Sequence, residues 1–165
     1  MQESHSVASG FRDDQKHWME EALSEARLAL EHDDVPVGAV VVKDGVILGR
    51  GHNSREAEHD PTAHAEIRAL AQAGKIYGDW RLDGAELYVT LEPCPMCAFA
   101  LVLARLSLVV YGADDPRMGA CGSHVNLVQF PGFTHGVAIR SGLLAEESLA
   151  LIRDSFVRQR RSASD

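Results

Sequence analysis

Apolar residues recur along the first forty positions with two different periods. Trp18, Ala22, Ala26, Ala29 and Leu30 return every three or four residues, which puts them on one stripe of a helix. The stripe stops at the acidic stretch Glu31–Asp34, and Asp13 or Asp14 is placed to cap its start. Val37–Val42 then runs β-branched without alternation, the pattern of a strand buried on both faces. Lys43-Asp44-Gly45 reads as a hairpin turn into Val46–Gly51, so the sheet opens with an antiparallel pair.

A polar loop, His52–Thr62, leads to an alanine-rich helix over Ala63–Gly74, whose start is marked by Asp60-Pro61-Thr62. Glu86–Leu91 has the composition of a strand, Pro95–Ala104 that of a helix, and Leu106–Tyr111 that of another strand. Short connections make these a βαβ unit, which predicts parallel pairing of the later strands. Gly112–Gly136 is rich in Gly, Pro, Asp and Asn; a wholly structureless loop of that length is unusual, which predicts a short helix near Ser123–Gln129. Val137–Arg140 suits a short edge strand, and Leu143–Phe156 a last amphipathic helix that trails into a basic end. Together these elements predict an α/β/α sandwich around a mixed sheet of about five strands.

Composition narrows the picture. The chain has 165 residues, 45% of them hydrophobic and 24% charged, enough for one core without help from disulfides. The expected division is a flexible N-terminal segment over 1–15, a single domain over 16–161 and a disordered tail over 162–165. Met1–Gln15 lacks the basic start and apolar stretch of a secretory signal, and Val35–Val42 and Ala98–Ala104 are too short to span a bilayer. The expectation is a cytoplasmic protein with no membrane partner. The formal charge of −8 argues against a general phosphate-binding surface. Yet Arg153, Arg158, Arg160 and Arg161 gather near the end, either as a solvated helix terminus or as a local nucleic-acid contact.

The candidate chemistry lies at two helix starts. His64 opens the second helix, with Glu66 two residues on; Cys94 and Cys97 open the third, three apart and thus on one face. A helix N-terminus favours the thiolate form, and one imidazole with two thiolates makes a credible zinc shell. Three protein ligands leave a fourth position, the pattern of catalytic rather than structural zinc. Glu66, near the metal and not needed as a ligand, is free to accept and return protons. On an ideal helix His64 and Glu66 diverge by about 200°, so the site has to be approached end-on at the first turn. Each feature has a blander reading when taken alone. Cys94-Pro95-Met96-Cys97 also fits a redox pair or half a zinc knuckle, His64 a surface histidine, and Glu66 a carboxylate on a helix dipole. Cys121, the remaining thiol, reads as a small buried or loop residue. Along with His59 and His124 it is a candidate fourth ligand, though none of these stands at a usual spacing.

His64-x-Glu66 followed by Pro93-Cys94-x-x-Cys97 is the signature of the zinc nucleobase deaminases. The wider sequence resembles the bacterial tRNA-specific adenosine deaminases. The similarity is carried by Val35–Val40, Gly51-His52-Asn53, His59–Ile67, Leu87–Cys94, Gly112–Asp115, Gly119–Ser123 and Phe156–Arg161, and it extends from about Lys16 to Arg161. The resemblance implies a cytidine-deaminase-like fold, a homodimer, one Zn2+ per subunit held by His64, Cys94 and Cys97, and Glu66 as proton shuttle. It further implies a tRNA anticodon stem-loop as partner, with arginine tRNA the cognate one, and conversion of adenosine to inosine at the wobble position. Asn53 would contact the flipped nucleoside, and Asp115 and Phe156 would lie near the anticodon loop. Asn53 and Asp115 also suit plain turns, and Phe156 core packing. Two other functions are compatible with the same residues: a deaminase of a free base such as guanine or cytosine, and a non-catalytic zinc-stabilised RNA-binding module closed by Cys121.

Overall fold

A computed structural model describes residues 10–164. In chain order the elements are α1 (Asp13–Ala29), β1 (Gly38–Lys43), β2 (Val46–His52), α2 (Arg55–Glu58), α3 (Ala65–Tyr77), β3 (Glu86–Leu91), α4 (Pro95–Leu103), β4 (Leu108–Ala113), β5 (Ala138–Ser141) and α5 (Ala145–Ser162). The sheet order is β2-β1-β3-β4-β5. β1 pairs antiparallel with both β2 and β3, whereas β3, β4 and β5 run parallel, giving the mixed five-stranded sheet that the sequence predicts.

The unbroken β1 run is explained by its two faces. Ala39 and Val41 join a core with Ala65, Ala69, Leu101 and Val109, under α3 and α4. Val40 and Val42 point the other way, onto Met19 and Ala22 of α1. Successive side chains of a strand face opposite sides, so a strand between two helical layers must be apolar throughout. β2 lies against α3 through glycines: a Cβ at Gly49 would overlap the Ala69 carbonyl, and one at Gly51 the Ala65 carbonyl. These contacts fix the height of the α3 first turn above the sheet.

Several expectations shift. α1 starts at Asp13, inside the segment expected to be flexible, because Arg12 takes the N-cap position and its N–H donates to Gln15 Oε1 at 3.0 Å. Asp13 and Asp14 sit in the first turn, where their charge suits the dipole, and do not cap it. Residues 1–9 of that expected segment lie outside the described residues, as does Asp165 of the expected tail. The loop between β2 and α3 contains the one-turn helix α2. α3 passes Gly74 and ends at Gly78, whose φ of 83° provides the left-handed cap. α5 extends to Ser162, so Arg158, Arg160 and Arg161 are helical.

The short helix expected at Ser123–Gln129 does not form. Instead, Cys121 bridges Asn126, and the N–H groups of Cys121 and Ser123 donate to Glu92 Oε1 at 3.1 and 2.9 Å. A carboxylate reached from β3 organises this segment in place of a helical ladder. No helix among the described residues is long and apolar enough to cross a membrane.

Candidate metal centre and active-site cavity

β3 delivers the chain to Glu92-Pro93-Cys94, and Cys94 becomes the N-cap of α4 with extended φ and ψ of −72° and 172°. Pro95 occupies the first turn, where its missing N–H is harmless, and Cys97 follows one turn on, fully buried. His64 is likewise an N-cap, of α3, at φ −81° and ψ 152°. It is therefore outside the helical wheel, which resolves the divergence between His64 and Glu66: the first approaches from the extended backbone, the second from the first helical turn.

Both helix starts meet at one point. His64 Nδ1 lies 3.6 Å from Cys94 Sγ and 3.5 Å from Cys97 Sγ. With about 2.3 Å to sulfur and about 2.0 Å to nitrogen, a tetrahedral ion separates neighbouring sulfur and nitrogen by about 3.5 Å. The imidazole nitrogen thus already stands at a zinc-like separation from each sulfur, all three donors lie within 4.8 Å of one another, and the His/Cys set matches the ion's ligand preference. Cys121, His59 and His124 do not join this group among the described residues.

The electrostatics favour a cation. The hydrogen bond from Cys97 lowers the Cys94 thiol to about 4 against the cost of its burial, and His64 adds to the effect. Cys97 is pushed far up by the same bond and by burial, so the pair shares its remaining proton. His64 is raised above its ordinary value by the Cys94 sulfur. A divalent cation entering this group displaces those protons. Glu66 is 4% exposed, and burial raises its carboxyl above the usual range, partly countered by a hydrogen bond with Cys97. A carboxyl raised in this way gives up its proton less readily than a solvated one, which suits a group that has to hold a proton between two transfers.

These groups open into a cavity of about 460 Å³, large enough for a nucleobase, whose walls include Asn53, Arg55, His64, Glu66, Cys94 and Asp115. Asn53 is buried and both ends of its amide are engaged: Nδ2 donates to the Val35 carbonyl at 3.1 Å, and Oδ1 accepts the Ala65 N–H at 3.0 Å. It ties the lead into β1 to the first turn of α3. Asp115 lines the cavity while its Oδ1 accepts the N–H groups of Arg117 and Met118. Phe156 stands apart, 44% exposed on α5 and outside the cavity walls. Cys121 is buried near Glu92, and burial raises its thiol to about 12.

Two residues of this site escape sequence reasoning. Glu92, 2% exposed, accepts the Asp115 N–H at 2.9 Å through Oε2 while Oε1 serves Cys121 and Ser123. Its carboxylate holds the cavity wall that Asp115 and Met118 build. The only hint in sequence is an acid between the apolar Leu91 and Pro93. Arg55 contributes the cavity's guanidinium, and nothing in its polar neighbourhood singles it out.

A family model, the MafB19-like deaminases, matches residues 13–161. The chain is 49% identical over 144 residues to the tRNA-specific adenosine deaminase of Bacillus subtilis (strain 168), covering 87% of this chain and 89% of the relative. A solved structure from studies of A-to-I editing by tRNA:A34 deaminases at the wobble position of transfer RNA superposes with a TM-score of 0.79 at 47% identity, covering 82% of this chain and 98% of that one. The guanine deaminase of Bacillus subtilis is similar at 38% identity with a TM-score of 0.58, over 63% of this chain and 66% of that one. The cytidine-deaminase-like sheet, the converging helix starts and these likenesses agree, and the chain belongs to the family of bacterial tRNA-specific adenosine deaminases.

Proposed function

We propose that this chain is a hydrolytic deaminase that converts adenosine to inosine at the wobble position of a tRNA anticodon. The observation that carries the reading is the convergence of His64, Cys94 and Cys97 beside a buried Glu66 at the floor of a base-sized cavity. His64, Cys94 and Cys97 would hold one Zn2+ per subunit; when bound, zinc supplies a Lewis acid that eases ionisation of water. Glu66 takes one proton of the attacking water and passes it to the ring nitrogen of adenine; it then takes the proton of the new C6 hydroxyl and delivers it to the departing amino group. Water is consumed, the C6–N bond breaks, ammonia leaves and the carbonyl of inosine remains. Asn53 holds the first turn of α3 in place through those two bonds, leaving its second amide N–H to donate to the nucleoside, and Asp115 borders the flanking loop. Phe156 and the arginines of α5 meet the RNA further from the cavity.

The single domain over 16–161 acts as a homodimer in the cytoplasm on arginine tRNA. An apolar groove of about 740 Å³ between α3 and α4, bordered by Trp80 and Leu103, supports the dimer. Incubating the zinc-loaded protein with arginine tRNA and sequencing for inosine is the direct test. Absence of inosine with zinc retained refutes the reading. Glu66→Ala should abolish turnover and keep the metal; loss of zinc would reassign Glu66 to metal binding. The likeness to guanine deaminase favours a second reading, a free-base deaminase, which predicts ammonia release from guanine alone.

A further inference from the structure

Asp34 follows α1, and its side chain is completely buried. Oδ2 accepts the Glu56 N–H at 3.1 Å, whereas Oδ1 is buried without a hydrogen-bond partner. That oxygen faces Arg55 Nε at 3.8 Å, and Arg55 Nε is itself buried without a partner. A buried carboxylate is costly unless a counter-charge stands beside it, so the two groups answer one another. The Arg55 side chain as a whole is 41% exposed and borders the cavity of His64 and Glu66. Among the described residues lining that cavity, Arg55 is the one lysine or arginine, while Glu66, Glu92 and Asp115 are acidic. On a chain of net charge −8, a polyanion reaching this mouth meets one basic side chain among the described lining residues.

We infer that Arg55 grips a backbone phosphate adjoining the target adenosine and that Asp34 is the residue that positions its guanidinium. The inference rests on the RNA reading above. A guanidinium presents five donors in a fixed plane, so the Nε edge can face Asp34 while the terminal nitrogens take two phosphate oxygens. A lysine in its place would have no second edge to anchor. α2 is only one turn long, and Asp34 fixes it twice, through the Glu56 N–H and through Arg55. The position of the cation is therefore set by the core of the domain and not by the loop that carries it.

The test is binding and turnover of a synthetic anticodon stem-loop by the zinc-loaded protein across a salt series. Arg55→Ala should raise KM about tenfold, more than it lowers kcat, and reduce the slope of log K against log salt by about 0.7, one phosphate on a single strand. A methylphosphonate in place of the phosphate beside the target adenosine should weaken the wild-type protein and leave Arg55→Ala unaffected. Asp34→Asn keeps the shape and removes the charge. It should weaken binding about threefold and have no further effect once Arg55 is Ala. If Asp34→Asn unfolds the domain, the methylphosphonate comparison on Arg55→Ala still decides the phosphate contact. Unchanged KM and salt slope in Arg55→Ala overturn the inference. If the wild type binds the stem-loop without making inosine, the proposed activity fails and the phosphate contact stands on its salt slope. If adenosine 5′-monophosphate is turned over and its KM alone responds to Arg55→Ala, the ligand is a free nucleotide and the RNA assignment is overturned.

Discussion

At position 92 a carboxylate lies beneath the cavity wall with three backbone N–H groups aimed at it. Gly119 passes so close that a Cβ there would overlap the carboxylate and the Asp115 carbonyl. The charge does what a short helix would do elsewhere, satisfying amides that the 114–123 backbone cannot pair internally. Glu92→Gln keeps the shape but turns one acceptor into a donor that faces an N–H. It should cost about 3 kcal/mol of stability, read from urea unfolding, and lower turnover while zinc content is unchanged. An unchanged unfolding midpoint would mean the loop is held elsewhere. None of this was legible in sequence, because Glu92 and Ser123 meet only after the chain has crossed from β3 through α4 and β4.

The strands and helices themselves were largely legible. The β1 run announced burial on both faces, and the cysteine pair announced a helix start, since both patterns arise from local periodicity. What α3 needs is less visible: its first turn, which carries Glu66 and follows His64, rests directly on β2 at Gly51. Gly51→Ala would push a methyl into the Ala65 carbonyl, costing about 2 kcal/mol and weakening zinc retention in a chelator competition. Gly45→Ala is the control. Its φ of 72° strains a side chain, but nothing lies near its Cβ, so it should cost about 1 kcal/mol and leave zinc untouched. Equal loss of zinc in both variants would refute the role given to Gly51. α2 and the overextended ends of α3 and α5 were missed because caps such as Gly78 and one-turn helices leave little periodic signal.

Across the molecule acidic charge outweighs basic, 24 residues to 16, and two basic features bear on the substrate: Arg55 at the cavity mouth, and Arg158, Arg160 and Arg161 on the last turns of α5. Such a distribution suits a single-stranded loop held at a few points better than a duplex lying on a broad basic face. Gln159 Nε2 also donates to the Asp33 carbonyl, so the end of α5 is docked beside the turn that carries Asp34. Removing residues 158–165 should weaken stem-loop binding and flatten its salt dependence, with zinc content preserved. A free-base deaminase would lose little, and full binding by the truncated chain would detach the basic end from the substrate.

The sequence by itself determined the donor types, their placement at two helix starts and the layered sheet, all properties that repeat over a few residues of chain. Tertiary structure alone decided that His64 reaches the metal group as an extended cap, that Asn53 is engaged at both ends of its amide, and that Phe156 stands outside the cavity. It also decided that Glu92 moulds a loop and that Asp34 faces Arg55. Buried charges and their partners come from segments far apart in the chain. Their pairing depends on where the core sets each backbone, which no local pattern records.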